Sequence, residues 1–522
     1  MKFHPALSMT PAMCVMLAML TAGRMSANNI TTSTGTLTGN SGTTVLVQFN
    51  VSWENSWRIN PEFWDAAWIF VKYRASDGIW RHASLSNTGH VAPAGSTITA
   101  GLLTPGAAYN ATTNPGVGVF LYRNADGGGT FAANGVQLLW NYSVNGVGLV
   151  DVKEVRVFAI EMTNAPQTAY FVGETGAPPS FGSFTNGSVV SGPCIALQIT
   201  SESALTVAQT AGALWAGDGI NIGGAGTLSA AYPKGFKAIY SMKYEVTQQG
   251  YVDFLNTLTY DQQAGLTVSP NSPAGTGALS NSYRNGIDIQ TPGVASTTPA
   301  VYACNLNGDA TYGDAADGKD IACNHLEWNQ LTAYLDWCGL RPMTEMEYEK
   351  ICRGPLTTVP SYPWGTTCIY VGPGPGITLV NQGSANEGVT LGYVSCNANT
   401  SWSGIHGPVR VGLYAANAAN TGRETAGAGY YGNMELGGNV WERVVTVGST
   451  EGRAFTGTHG NGALASNGQA DATSWPNVSA GYGVRGGSFD LIEAPLLVSF
   501  RGSAANNSVS TPYCGGRGVR TQ

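Results

Sequence analysis

The chain has 522 residues, enough for two or three domains that each bury a full core. Only 11% of the residues are charged, glycine contributes 70, and the 43% apolar content excludes wholesale disorder. A net charge of −7 with no Lys/Arg cluster speaks against nucleic-acid binding and against a polybasic membrane surface.

The first element is a targeting segment. Lys2 and His4 precede an apolar run from Pro11 to Ala22, and small residues follow. This pattern predicts a secretory signal peptide over residues 1–27, of bacterial type and cleaved between Ala22 and Ala27. Its apolar part is too short to span a bilayer, and no later run is long enough to do so. The expected location is therefore secreted, cell-surface or periplasmic.

From Thr43 to Ala159 the pattern is strands. Val45–Trp53 alternates apolar and polar residues, and Trp68–Tyr73, Gly118–Arg123, Val136–Tyr142 and Val155–Ile160 follow, separated by Gly/Asn/Asp/Ser clusters. An all-β sandwich over residues 28–160 is expected. His82 and His90 stand alone near turns and read as surface or packing residues.

A second domain, 161–522, opens with a strand in Glu161–Gly173 and carries three amphipathic helices, so its class is α+β. Tyr244–Leu258 is capped by Thr247, and His325–Gly339 stops at its glycine. The third helix starts at Thr344, where Glu347 completes a capping box, and ends at Gly354–Pro355. Three apolar stripes of this kind mean core packing.

Four stretches follow in order: RPMTEMEYEKICRG (Arg341–Gly354), LGGNVWER (Leu436–Arg443), VRGGSF (Val484–Phe489) and GGRGVR (Gly515–Arg520). Together with YEVT (Tyr244–Thr247) and YPWG (Tyr362–Gly365), they resemble the formylglycine-generating enzyme, or sulfatase-modifying factor, family. That family has a variant of the C-type-lectin-like fold. Most of the matching residues read as framework. Trp441 fills a core, Asn439 bonds backbone, and Arg485 and Arg501 pair internally with Glu442 or Glu347.

The resemblance implies chemistry that the residues do not support. Family enzymes oxidise a substrate cysteine with two of their own, placed after the RGGS-type motif, and bind copper through them. Here Phe489–Arg501 reads FDLIEAPLLVSFR, with Leu491 and Leu497 at the matching positions. Copper is therefore not expected. Calcium is a candidate through Asn386, which matches one family ligand position, although another falls at Gly429. Of nine cysteines, Cys14 lies in the signal peptide, and the other eight suggest disulfides in an oxidising compartment. Cys304–Cys323 and Cys368–Cys396 are the favoured local pairs because each closes a Gly- and Asn-rich loop. Cys338 and Cys352 match structural cysteines of the family, and the resemblance makes Cys514 a partner for one of them.

Two function classes follow. The first is a non-catalytic exported protein that binds an extracellular protein or glycan, or builds a surface structure. Its ligand would meet the loops carrying Phe489, Asp490, Glu493, Asn506, Asn507 and Tyr513. The second is a formylglycine-generating oxidase, or a divergent enzyme of that family.

Overall fold

The computed structural model describes residues 29–176, 181–188, 193–356, 361–370, 378–390, 397–416, 422–477, 479–505 and 511–521. The expected signal peptide, Cys396, Asn506 and Asn507 lie outside the described residues. Described content is mixed and mostly strand, with the α-helices confined to the part beyond Thr247.

The first part is made of antiparallel strands: β1 (Val45–Ile59), β2 (Phe63–Ala75), β3 (Trp80–His82), β4 (Ser96–Leu102), β5 (Gly116–Arg123), β6 (Gly127–Trp140) and β7 (Val152–Ala165). All five expected strands are present, and β3 and β4 are additional. β1 pairs with β6 and turns Val45, Val47, Phe49, Val51 and Trp53 into one apolar core. Ala67, Ile69, Val71 and Tyr73 of β2 enter the same core. Ala66, Trp68 and Phe70, on the other face of β2, enter a second core with Tyr251, Phe254, Leu335 and Trp337. A strand buried on both faces loses its alternation, which is why β2 reads as an almost unbroken apolar run.

The expected border at Glu161 falls inside β7. This strand pairs with β2 from Val152 to Thr163, and its end (Met162–Ala165) pairs with β8 (Ile239–Met242). β8 pairs in turn with the terminal strand Gly518–Thr521, so one sheet runs through both parts of the chain. Glu161 is buried and meets Lys243 Nζ at 3.0 Å. No linker separates the two parts at this point.

The helices start and stop where local chemistry directs. α1 (Gln248–Leu255) is capped by Thr247, whose hydroxyl accepts from the Gly250 N–H at 3.1 Å. A short α2 (Tyr260–Ala264), not expected, starts at a Thr259/Gln262 capping box. α3 (Trp328–Trp337) is followed by Gly339 at φ 73°. α4 (Glu345–Arg353) has the Thr344/Glu347 box in full. It ends at Gly354 with φ 63°, where a Cβ would lie 2.3 Å from the Tyr430 ring.

The Cys304–Cys323 expectation is corrected, whereas the Cys368–Cys396 pair lies partly outside the described residues. Cys194, Cys304, Cys323, Cys338, Cys352 and Cys368 are free thiols. The loop after Cys304 is held by hydrogen bonds instead: Asn307 Nδ2 donates to Asp309 and Asp314, and the Gly313 N–H donates to Asp317 at 2.5 Å. Cys338 and Cys352 are free thiols in two separate apolar clusters, and Cys514 lies in a third.

Candidate functional site

The site grows out of α4. Glu345 and Glu349 are four residues apart and share a helix face. Arg485, the last residue of β10 in the pair β9 (Trp441–Val445) and β10 (Tyr482–Arg485), reaches both, at 3.1 Å and 2.8 Å. Arg501 meets Glu345 at 2.7 Å and donates to Gly182 O and Asn221 O at 2.8 Å each. All four of these side chains are fully buried. The arginines do pair internally, but not with the expected partners. Glu347 takes Arg341 at 2.6 Å, and Glu442 takes Arg517 at 2.6 Å.

These two arginines clamp both ends of the loop between them. Gly486 and Gly487, at φ 91° and 76°, turn the chain directly after Arg485. The Phe489 N–H then donates to Asn439 O at 2.7 Å. Asn439 is buried at φ 61°, and its Oδ1 accepts from the Val409 N–H at 2.9 Å, the backbone role expected of it. Its Nδ2 donates to Glu245 at 2.5 Å. Trp441 is buried with Val484 and Cys514, and Leu491, Phe500 and Tyr513 pack against them.

Above this framework lies an aromatic cluster. Phe489 and Tyr513 meet edge to face at 5.5 Å between centroids, and Tyr283 packs on both, at 5.8 Å and 5.6 Å. His325 adjoins Tyr283 at 6.4 Å, and its Nε2 lies 3.2 Å from Ser282 Oγ. Phe489 is buried, Tyr283 and Tyr513 are half-buried, and Asp490 is exposed. The hydrogen bond to Tyr283, followed by burial and the Asp490 charge, pushes the Tyr513 phenol up to about 12. Tyr283, Arg284 and His325 share positive φ with Asn439.

Not every expected site residue joins the cluster. Glu493 is half-buried and opens the 3-10 turn Ala494–Leu496. Asn386 is exposed on a loop organised by its buried neighbour Glu387, which accepts from the Gly383 and Arg410 N–H groups at 2.8 Å each and pairs with Arg284. Tyr283 and His325 were missed by sequence reasoning. The turn-rich SNSYRNG around Tyr283 was a signal, although nothing local linked it to Phe489.

Residues 223–522 match the sulfatase-modifying factor enzyme 1-like domain, FGE-sulfatase. The chain belongs to that family. It is 25% identical over 205 residues to the formylglycine-generating enzyme of Bos taurus, covering 39% of this chain and 48% of that protein. To the formylglycine-generating enzyme of Mus musculus it is 30% identical over 118 residues, 23% of this chain and 25% of that protein. The chain thus spans less than half the length of either relative.

The metals this family implies can be tested against the residues. Copper(I) needs soft thiolate donors. Beyond Ser488, Leu491 packs on the Trp441 cluster and Leu497 on Tyr362, Trp364 and Leu496. Burial pushes the thiols of Cys338 and Cys352 up to about 12, away from thiolate. Neither the Leu491 and Leu497 positions nor these two buried thiols fit copper. Calcium is not served at the expected positions either, because a Cβ at Gly429 would meet Leu436 and the Ile351 carbonyl at 2.6 and 2.8 Å. Among the described residues no group of three or more His, Cys, Asp or Glu is placed to hold a metal. Glu245, Glu435 and Glu442 do gather, but around the Arg517 guanidinium.

Proposed function

We propose that this FGE-sulfatase-family protein is an exported, non-catalytic recognition protein. Its ligand, a protein or glycan, would meet the surface carrying Tyr283, Phe489, Asp490 and Tyr513. One observation carries the reading. At the two positions where the resemblance puts the reactive cysteines, Leu491 and Leu497 pack on apolar clusters, while Tyr283 and Tyr513 nearby are half-buried. Half-buried tyrosines with fixed neighbours offer contact area at low ordering cost, and a carboxylate at the edge adds direction. Phe181, tilted against Phe500 at 4.9 Å between centroids, and Ile492 are exposed apolar side chains close by.

The alternative is a formylglycine-generating oxidase, or a divergent enzyme of the family. It is tested by incubating the full chain with a C-x-P-x-R peptide and copper. No aldehyde above a no-protein control is expected, and aldehyde formation would overturn the non-catalytic reading. The binding reading is tested on protein and glycan arrays, comparing the full chain with Phe489→Ala and Tyr513→Ala. A ligand retained by the parent and lost by both variants is expected. Binding unaffected by either substitution would move the ligand surface elsewhere, and failure of the parent to bind would leave a surface-structural role.

A further inference from the structure

The two parts of the chain meet along a seam that holds a cavity of about 530 Å3, lined from one side by β2 and β3 and from the other by Trp337 and the loop through Gly462. Lys72 and His82 are directly opposed partners in β2 and β3. Directly opposed residues put their side chains on the same face of a sheet, with Cβ atoms about 5 Å apart. Both residues line the cavity.

Neither side chain is spent on an ion pair. The Lys72 amine donates to Trp337 O at 2.7 Å and Gly462 O at 2.6 Å, and lies 5.2 Å from the centroid of the Trp337 ring. His82 Nε2 lies 2.7 Å from Val117 O, so Nε2 carries the hydrogen and Nδ1 is an acceptor. Nδ1 is buried and has no partner. The backbone passes so close that a Cβ at Gly462 would lie 2.2 Å from this nitrogen. Around the pair, Asp336, Cys338 and Arg520 are the charged or titratable neighbours. Burial wins over the first two and lowers the Lys72 amine to about 7, while burial and the Lys72 charge hold His82 well below its ordinary value. At pH 7.5 most of the Lys72 amine is neutral, roughly 500-fold more than in a surface lysine.

We propose that Lys72 is a nucleophilic amine that takes up small aldehydes as an imine in this cavity, with His82 relaying the proton. The amine lone pair adds to the carbonyl carbon, forming the C–N bond as the C=O π bond opens. One amine proton passes to His82 Nδ1 and on to the oxygen, giving a carbinolamine. Loss of that oxygen as water, with the second amine proton, leaves the C=N bond. An aldehyde and an amine become an imine and water, with no oxidant or reductant consumed. Ser84, Asn145 and Asn461 make the lining partly polar, Arg81 adds a charge, and Trp80 and Trp337 stand among aliphatic side chains in the rest, which suits a compact aldehyde with a polar substituent.

Lys350 supplies an internal control. Its amine is likewise lowered to about 7 by burial and donates to Lys237 O at 2.7 Å, but it lies in α4 and does not line the cavity. The test treats the full chain with glyceraldehyde at pH 7.5, reduces with cyanoborohydride and locates the adduct by peptide mass spectrometry. The expected result is an adduct at Lys72 with Lys350 and the surface lysines unlabelled, and its absence in Lys72→Arg. In His82→Gln, checked for an unchanged thermal transition, the adduct should form about 100-fold more slowly. Equal labelling of Lys72 and Lys350, or labelling confined to surface lysines, would overturn the site. An unchanged rate in His82→Gln would overturn the relay.

Discussion

Burial is the dominant force on Glu435, whose carboxyl it pushes up to about 7, aided by the neighbouring Glu442 and opposed by Arg517 and Arg410. One oxygen accepts from the Gly412 N–H at 2.8 Å, and the other is buried without a partner. The folded state therefore binds a proton that the unfolded chain has already lost above its ordinary value of 4.5. The stability this contributes is full below 4.5 and is lost as the pH rises through about 7. The total is at most about 3 kcal/mol. Glu435→Gln keeps an acceptor for Gly412 and removes the titration. Urea midpoints at pH 5 and pH 8 should converge in the variant, while the parent is weaker at pH 8. A parent–variant difference that does not change with pH would show that Glu435 does not titrate in this window. The position itself, in NMELGGNVW, was legible as a tight turn, but its burial depends on segments far away in the chain.

At the scale of the element, α4 separates what is local from what is not. The Thr344/Glu347 capping box is written in four residues and forms as expected. Thr344→Ala should cost about 1 kcal/mol. The spacing of Glu345, Glu347 and Glu349 shows only that the first and third share a face. Their arginines arrive from 140 and 156 residues away, a distance at which spacing carries no signal. Glu345→Ala leaves two buried guanidinium groups short of their shared carboxylate, and should cost about 3–5 kcal/mol in urea unfolding. A loss under 1 kcal/mol would mean that water replaces the carboxylate. Because Arg485 and Arg501 hold both ends of the Phe489 loop, ligand binding in milder substitutions such as Glu345→Gln should weaken along with stability.

At the scale of the whole molecule, the shared sheet sets the expectation. A fragment beginning at Glu161 would cut β7 after nine of its fourteen residues and remove Trp68 and Phe70 from the core that holds Leu335 and Trp337. Each such aromatic contributes about 1.5–3 kcal/mol by burial. The fragment should therefore bind a hydrophobic dye and lack near-ultraviolet circular dichroism, while the full chain unfolds in one transition. A fragment with native dichroism would show that the second part folds alone. The border was expected at this point because the motif resemblance begins there. The contrary clue, the missing alternation in WDAAWIFVKY, lies about a hundred residues upstream.

Caps, helix stops and alternating strands follow from the sequence by itself, because each depends on a few neighbouring residues and the geometry of one turn or one pleat. So does the family: its motifs carry glycines and buried charges that the framework needs in place. Other matters were decided only in three dimensions. The tertiary structure chose the partners of Arg485 and Arg501, left Cys304 and Cys323 unbridged, brought Tyr283 and His325 to Phe489, and set Lys72 against His82 over a cavity. The physical reason is the same in each case. A buried charge, thiol or ring takes whatever partner packing brings within bonding distance, and packing is a property of the whole chain.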